Sequence, residues 1–248
     1  MRALPRLESY RRDLPYSYAP GLFPAMNALE FAPERCLRLL LSEKSRESEG
    51  AAKLLERCEE AGIRIEYADR VLRSLSHKDN CYAAMVYRKE EQQPGEASDH
   101  LVLHRPSDCG NMGTMMRTAL GMAYEDIAIL EEAADPDDPR TVRASMGALF
   151  ALRICRFPEA HAYLERYAPG RQLFPFMLTG STDLEQVFPH SLPMSLIFGN
   201  EATGLPEGFS EIGTPVRIPH SDRIDSLNLA VAAGIGMYTL RARRKEEG

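Results

Sequence analysis

The sequence predicts an α/β protein with a parallel sheet covered by helices on both faces. Two observations carry this. From residue 101 onward, short apolar runs alternate with segments of helical spacing, the pattern of strand–helix–strand units. A smaller α/β stretch precedes them, and the polar run of residues 89–99, KEEQQPGEASD, reads as a linker between the two. Composition agrees: 248 residues, 44% hydrophobic and 27% charged with 17 glycines and 17 prolines, describe an ordinary globular chain and exclude disordered, collagen-like and coiled-coil classes. The expected organisation is a small α/β domain over residues 1–95 and a larger α/β domain over residues 96–248.

In the first part, residues 18–31 place apolar side chains at helical spacing after Pro20, and residues 36–41 form an apolar strand. Residues 49–60 set Ala52, Leu54, Leu55 and Cys58 on one helical face, and Gly62 stops the helix. A short strand at 63–67, a helical turn at 71–75 and a strand at 81–87 complete the unit. In the second part, strands are expected at 101–104, 127–130, 147–152, 174–179 and 195–198. Helices are expected at about 113–121, 158–167 and 226–243.

Several classes of protein are excluded. The longest mostly apolar run, residues 227–240, falls short of the roughly 18–20 residues of a membrane span. The first residues, MRALPRLESYRRD, lack the apolar core of a signal peptide, so a soluble cytoplasmic protein is expected. Cys36, Cys58, Cys81, Cys109 and Cys155 are odd in number and widely spaced, which fits reduced thiols rather than disulfides or structural zinc. The net charge is −6; residues 1–95 carry +1 and the remainder −7. Arg2, Arg6, Arg11 and Arg12 cluster at one end, and Arg241, Arg243, Arg244 and Lys245 at the other. Solvated termini and phosphate contacts are equally open readings of both clusters.

The signatures of P-loop, dinucleotide-binding, zinc-protease and serine-hydrolase sites are absent, and the six histidines do not cluster at metal-ligand spacing. Three other segments stand out. Residues 108–119 (DCGNMGTMMRTA) make a Gly-containing turn from a strand into a helix, with Asn111 in the turn and Arg117 on the helix. Residues 196–206 (LIFGNEATGLP) run from an apolar strand into a turn where Gly199 and Gly204 flank Glu201. Residues 216–219 (VRIP) and 224–232 (IDSLNLAVA) end a strand and start a small-residue helix near Ser226. Each turn falls at the carboxyl edge of a parallel sheet, where open α/β folds bind ligands.

Together these segments resemble the SpoU/TrmH family of SPOUT methyltransferases. The family reads N-P-G-N-x-G-x-x-x-R-T-A, then G-x-E-x-x-G-[LI], then I-P followed by S-L-N-[VL]-[SA]-[VIT]-A, and all three occur here in order. Residues 143–148, RASMGA, also look like the stretch that family members carry between the first two motifs. One departure stands out: Asp108-Cys109 replaces the usual Asn-Pro. The resemblance covers residues 101–243 strongly and residues 18–90 more loosely.

The resemblance implies a domain with a deep C-terminal trefoil knot, preceded by a small substrate-binding domain. It implies S-adenosyl-L-methionine as cofactor, held by Thr179, Gly180, Gly199, Ile218 and Leu227, and no metal. It implies methyl transfer to a ribose 2′-hydroxyl of tRNA or rRNA by a homodimer, with Arg117, Asn111, Glu201, Ser226 and Asn228 as catalytic and positioning residues. A SPOUT base methyltransferase and a non-catalytic RNA-binding protein of the same fold are the alternatives.

Overall fold

The computed structural model describes residues 6–45, 48–75, 81–179, 182–190 and 193–244. Along the chain the strands and helices run β1 (Tyr16–Pro20), α1 (Leu22–Phe31), β2 (Cys36–Leu41), α2 (Glu49–Glu60), β3 (Arg64–Tyr67), α3 (Asp69–Ser74), β4 (Ala83–Arg88), β5 (His100–His104), α4 (Cys109–Gly121), β6 (Asp126–Leu130), α5 (Pro139–Ala144), β7 (Arg153–Phe157), α6 (Ala160–Tyr167), β8 (Gln172–Pro175), β9 (Thr182–Asp183), β10 (Met194–Phe198), β11 (Val216–Arg217) and α7 (Leu229–Arg243). Among the described residues, no helix is long and apolar enough to cross a membrane.

The chain divides into two compact units. The first holds residues 1–90 and 135–151, the second residues 91–134 and 152–248. This departs from the expected cut after residue 95 in two ways. Residues 91–95 do not form a loose linker. Gln92 N–H donates to Ile154 O (3.1 Å), the Tyr167 hydroxyl to Pro94 O (3.1 Å), and Gly95 N–H to Asp126 Oδ1 (3.1 Å). Residues 135–151, in turn, belong with the N-terminal unit. The buried Tyr87 hydroxyl donates to Asp137 Oδ1 (3.0 Å), Ser17 Oγ donates to Asp137 O, and Asn27 Nδ2 donates to Met146 O (2.8 Å). These partners lie far apart in sequence, so no local pattern announces them.

The first unit is a four-stranded sheet in the order β1-β4-β2-β3, antiparallel except for the parallel β2–β3 pair. Tyr18, Leu40 and Val86 are buried in its core. Ser48 caps α2 by accepting Ala51 N–H (3.3 Å), and Ala51, Leu54 and Cys58 form the buried face. Tyr18–Pro20, expected at the start of a helix, extend β1 instead, and Gly21 at φ 111 makes the turn into α1.

The second unit is a five-stranded, wholly parallel sheet in the order β7-β6-β5-β10-β8. β5, β6 and β10 are buried at every position, as their near-continuous apolar sequences require. Residues 147–152 do not form the expected strand. Ala148–Ala151 make a buried 3-10 turn after Gly147 at φ 83, and the strand follows at β7. Three consecutive buried residues, Ala148, Leu149 and Phe150, suit a turn inside a core rather than alternation on a sheet.

At the amino end of this sheet a buried polar cluster fixes the strands. His100 Nδ1 bonds the Tyr163 hydroxyl (2.9 Å), Tyr163 bonds Ser195 Oγ (2.8 Å), and Arg171 donates to Ser195 Oγ (3.0 Å). Burial, with the Arg171 charge, pushes the His100 pKa down to about 4, so the ring is neutral at physiological pH. The carboxyl edge of the same sheet is free for chemistry.

Candidate active site

β5 and β10 are neighbours and parallel, so the loops after them emerge side by side. The first loop enters α4, whose N-cap is Asp108, its carboxylate accepting Asn111 N–H (2.7 Å). The departure at residues 108–109 therefore still makes a capped turn, and it starts the helix four residues earlier than the spacing predicts. In the second loop, Asn200 and Gly204 exchange backbone hydrogen bonds (3.1 and 2.9 Å), and Asn200 Oδ1 accepts Ala202 N–H (2.9 Å). Gly204 turns with φ 67. This closure brings Gly204 onto Gly199: a Cβ at Gly199 would lie 2.2 Å from the Gly204 carbonyl carbon.

Glu201 ties the first two loops together. Its carboxylate accepts Ser107 N–H and Oγ–H (both 2.9 Å), Asp108 N–H (3.1 Å) and Asn111 Nδ2 (3.1 Å). Burial raises its pKa, but these hydrogen bonds outweigh that effect and hold it below the ordinary value. It is thus ionised and fully engaged, a positioning group rather than a base. The third loop joins through Asn228, whose Nδ2 donates to Asn111 Oδ1 (3.0 Å). Asn228 Oδ1 accepts Ala230 and Val231 N–H (2.9 and 3.2 Å), so Asn228 caps α7, not Ser226.

Beside this network lies a cleft of about 360 Å³ lined by Thr179, Gly199, Glu201, Ile218, Ser226 and Leu227. Phe176 and Phe198 also line it, their rings stacked at 4.3 Å. Four predicted cofactor residues thus share one cavity; the fifth, Gly180, lies outside the described residues. Asn111, Glu201 and Asn228 form one hydrogen-bonded group, and Ser226 faces the cleft. Arg117 is not drawn into this group: it is exposed on α4 and makes no hydrogen bond or ion pair among the described residues. The sequence reading missed Ser107, Asn200, Phe176 and His220. Ser107 acts through its bonds to Glu201, 94 residues away, and Asn200 through the turn it closes and its bond to Arg105 O, partners that no local pattern marks. Phe176 and His220 reach the cleft from segments where only a sheet-edge position could have marked them.

Among the described residues, no group of three or more His, Cys, Asp or Glu could hold a metal ion. The SpoU rRNA Methylase family matches residues 99–238. The chain is 33% identical over 155 residues to an uncharacterised tRNA/rRNA methyltransferase of Synechocystis, covering 62% of this chain and 56% of that protein. It is 29% identical to the 23S rRNA (guanosine(2553)-2′-O)-methyltransferase RlmP of Bacillus subtilis, covering 64% of each. The chain therefore spans a little over half to just under two thirds of the length of these curated relatives. An AdoMet-bound rRNA methyltransferase from Sinorhizobium meliloti superposes with a TM-score of 0.78 at 28% identity, covering 92% of this chain and 87% of that one. With more than half of its length matched and its three motif loops joined at one sheet edge, the chain belongs to the SpoU rRNA methylase family.

Proposed function

We propose that the chain transfers a methyl group from S-adenosyl-L-methionine to a ribose 2′-hydroxyl of tRNA or rRNA. The observation that carries this is the hydrogen-bonded chain Ser107–Glu201–Asn111–Asn228, which locks three motif loops beside one cleft. The names of RlmP and of the AdoMet-bound Sinorhizobium enzyme support the reaction and the cofactor. The cleft suits that cofactor: stacked Phe176 and Phe198 with Leu227 offer an apolar wall for an adenine ring, and its volume is that of a small-molecule site. When bound, the sulfonium supplies an already activated methyl group, so the residues present need only bind and orient.

Thr179, Gly199, Ile218 and Leu227 would hold the cofactor, with Ser226 on the wall of the same cleft. Glu201 and Asn111 fix the first motif loop, and Asn228 fixes the start of α7. The Arg117 guanidinium offers a fork of N–H donors and no acceptor, so its role is to hold an RNA phosphate and place the ribose.

We infer further that the C-terminal segment forms a deep knot around this cleft and that the active protein is a cytoplasmic homodimer. Val231, Ile235 and Tyr238 form an exposed apolar strip on α7, which supports self-association. Five free thiols fit a reducing compartment. The N-terminal unit is assigned to RNA selection. The test is incubation with methyl-labelled cofactor and deproteinised ribosomal or transfer RNA, followed by digestion to nucleosides. A labelled 2′-O-methylnucleoside is expected. A methylated base, or no label with cofactor bound, overturns the reading.

A further inference from the structure

Of the N-terminal arginines, Arg2 lies outside the described residues, and Arg11 and Arg12 are already engaged by carboxylates. Arg11 pairs with Glu8 and Asp13 (3.4 and 3.1 Å), and Arg12 lies 3.7 Å from the buried Asp135. Another surface of the same unit is better placed. One row of residues crosses its sheet: Gly21 N–H donates to Ala83 O (2.8 Å), and Leu41 is in register with both Ala83 and Tyr67. The chain therefore leaves or enters the sheet four times at one edge. Phe23 on the first turn of α1, Tyr82 just before β4 and Tyr67 at the end of β3 all stand there, 70%, 45% and 39% exposed.

The kind of exposed side chain separates possible partners. Among the described residues, every exposed large hydrophobic of this unit is aromatic: Phe23, Phe31, Tyr67 and Tyr82. In the other unit they are mostly aliphatic, including Leu178, Ile224, Val231 and Ile235. A protein partner needs area of either kind, whereas unpaired bases need flat rings. Cations accompany the rings. Lys44 lies on the turn after β2 and Arg70 and Arg73 on α3, just after β3; all three are exposed and form no ion pair among the described residues. Glu43 and Asp69 are the neighbouring carboxylates, and Asp69 already accepts the Ser42 hydroxyl (2.6 Å).

We propose, on the basis of the RNA-methyltransferase reading, that this sheet edge binds an unpaired stretch of the substrate RNA. Bases stack on Phe23 and Tyr82, and Lys44, Arg70 and Arg73 hold the flanking phosphates.

The experiment uses the full chain, a fluorescently labelled single-stranded RNA 12-mer of mixed sequence, and methyl transfer to deproteinised ribosomal RNA. Phe23→Ala and Tyr82→Ala should each weaken binding of the 12-mer and raise KM for ribosomal RNA by about tenfold or more. Phe23→Leu keeps apolar area without a ring and should behave like the alanine variant, while Phe23→Tyr should bind like the parent. Arg70→Gln and Arg73→Gln should each flatten the salt dependence of binding by about 0.7 per lost contact. Cofactor affinity by titration calorimetry should stay within twofold in all of them, which reports intact folding. A parent protein that does not bind the 12-mer, alanine variants within twofold of the parent, or full rescue by leucine overturns the proposal. If the parent methylates ribosomal RNA but the variants keep its KM, this surface fails and the activity stands. If the ring dependence appears without any 2′-O-methyl product, the activity fails and the surface stands.

Discussion

Replacing Glu201 with glutamine keeps its size and removes its charge. The two carboxylate oxygens face different backbone donors: one accepts Ser107 N–H, the other Asp108 N–H. Whichever position takes the new NH₂ group, one backbone N–H then meets another donor. Turning the nitrogen toward Asn111 would also force that amide to flip, breaking its bond from Asn228 (3.0 Å). At least one charge-assisted hydrogen bond is therefore lost, worth about 1.5–3 kcal/mol. Glu201 is only partly buried, so we take about 2 kcal/mol, which is roughly 30-fold in the ratio of closed to open loops. Glu201→Gln should lower Tm by roughly 4–8 °C and weaken S-adenosyl-L-methionine binding by about the same 30-fold. Acid should reproduce the effect. The folded pKa is depressed, so the stabilisation is complete above the ordinary glutamate value. It fades as the pH falls through the lower folded value. Calorimetric titration and thermal denaturation are the assays. A variant within twofold in affinity and within 1 °C in Tm, by about the resolution of such scans, would refute the positioning role.

Three further outcomes follow from the geometry. Arg117→Ala should leave Tm and cofactor affinity unchanged and cut kcat on RNA by about 100-fold through lost positioning, with Arg117→Lys recovering little; near-normal turnover would remove Arg117 from the reaction. Gly199→Ala should destabilise the protein even without cofactor, because the methyl would collide with the Gly204 backbone; an unchanged Tm with lost cofactor binding would instead make ligand approach the reason for that glycine. A fragment of residues 96–248 should be poorly soluble, since it strips Asp137 of Ser17 and Tyr87 while retaining the apolar Val142, Leu149 and Phe150; replacing residues 135–151 with a short flexible link should restore a folded, cofactor-binding fragment, and equal behaviour of the two would refute this.

Where structure follows from local pattern, the sequence was readable. β2 and α2 fall within the bounds that their apolar run and helical spacing predict, because a continuous apolar stretch and a capped amphipathic one are local signals, although Ala51 and not Ala52 joins Leu54 and Cys58 on the buried face. Four of the five residues predicted to hold the cofactor share one cleft, because sheet-edge turns carry their own glycine and proline marks. The start of α7 was misplaced because Ser226 and Asn228 are both good caps; only the bond to Asn111, more than a hundred residues away, selects Asn228. Gly199 lines the cleft, but what its missing side chain makes room for is not a local signal either. A glycine signals that something comes close, and only the Asn200–Gly204 closure identifies it as backbone. Arg117 was legible as a residue but not as a contact, since its surroundings in the chain supply none.

The return of residues 135–151 to the N-terminal unit bears on how the protein is made. A chain folding as it leaves the ribosome usually completes its first domain before the second is translated. Here that order is interrupted: β1 and β4 can form early, but Ser17 and Tyr87 wait for Asp137, and Pro24 for Gly147. At about 5–20 residues per second that wait lasts several seconds, while β5 and β6 have emerged without β7, β8 or β10 to flank them. Two half-built sheets thus coexist on the nascent chain, each with exposed strand edges, and slow translation downstream of residue 130 is where misassembly should be most frequent.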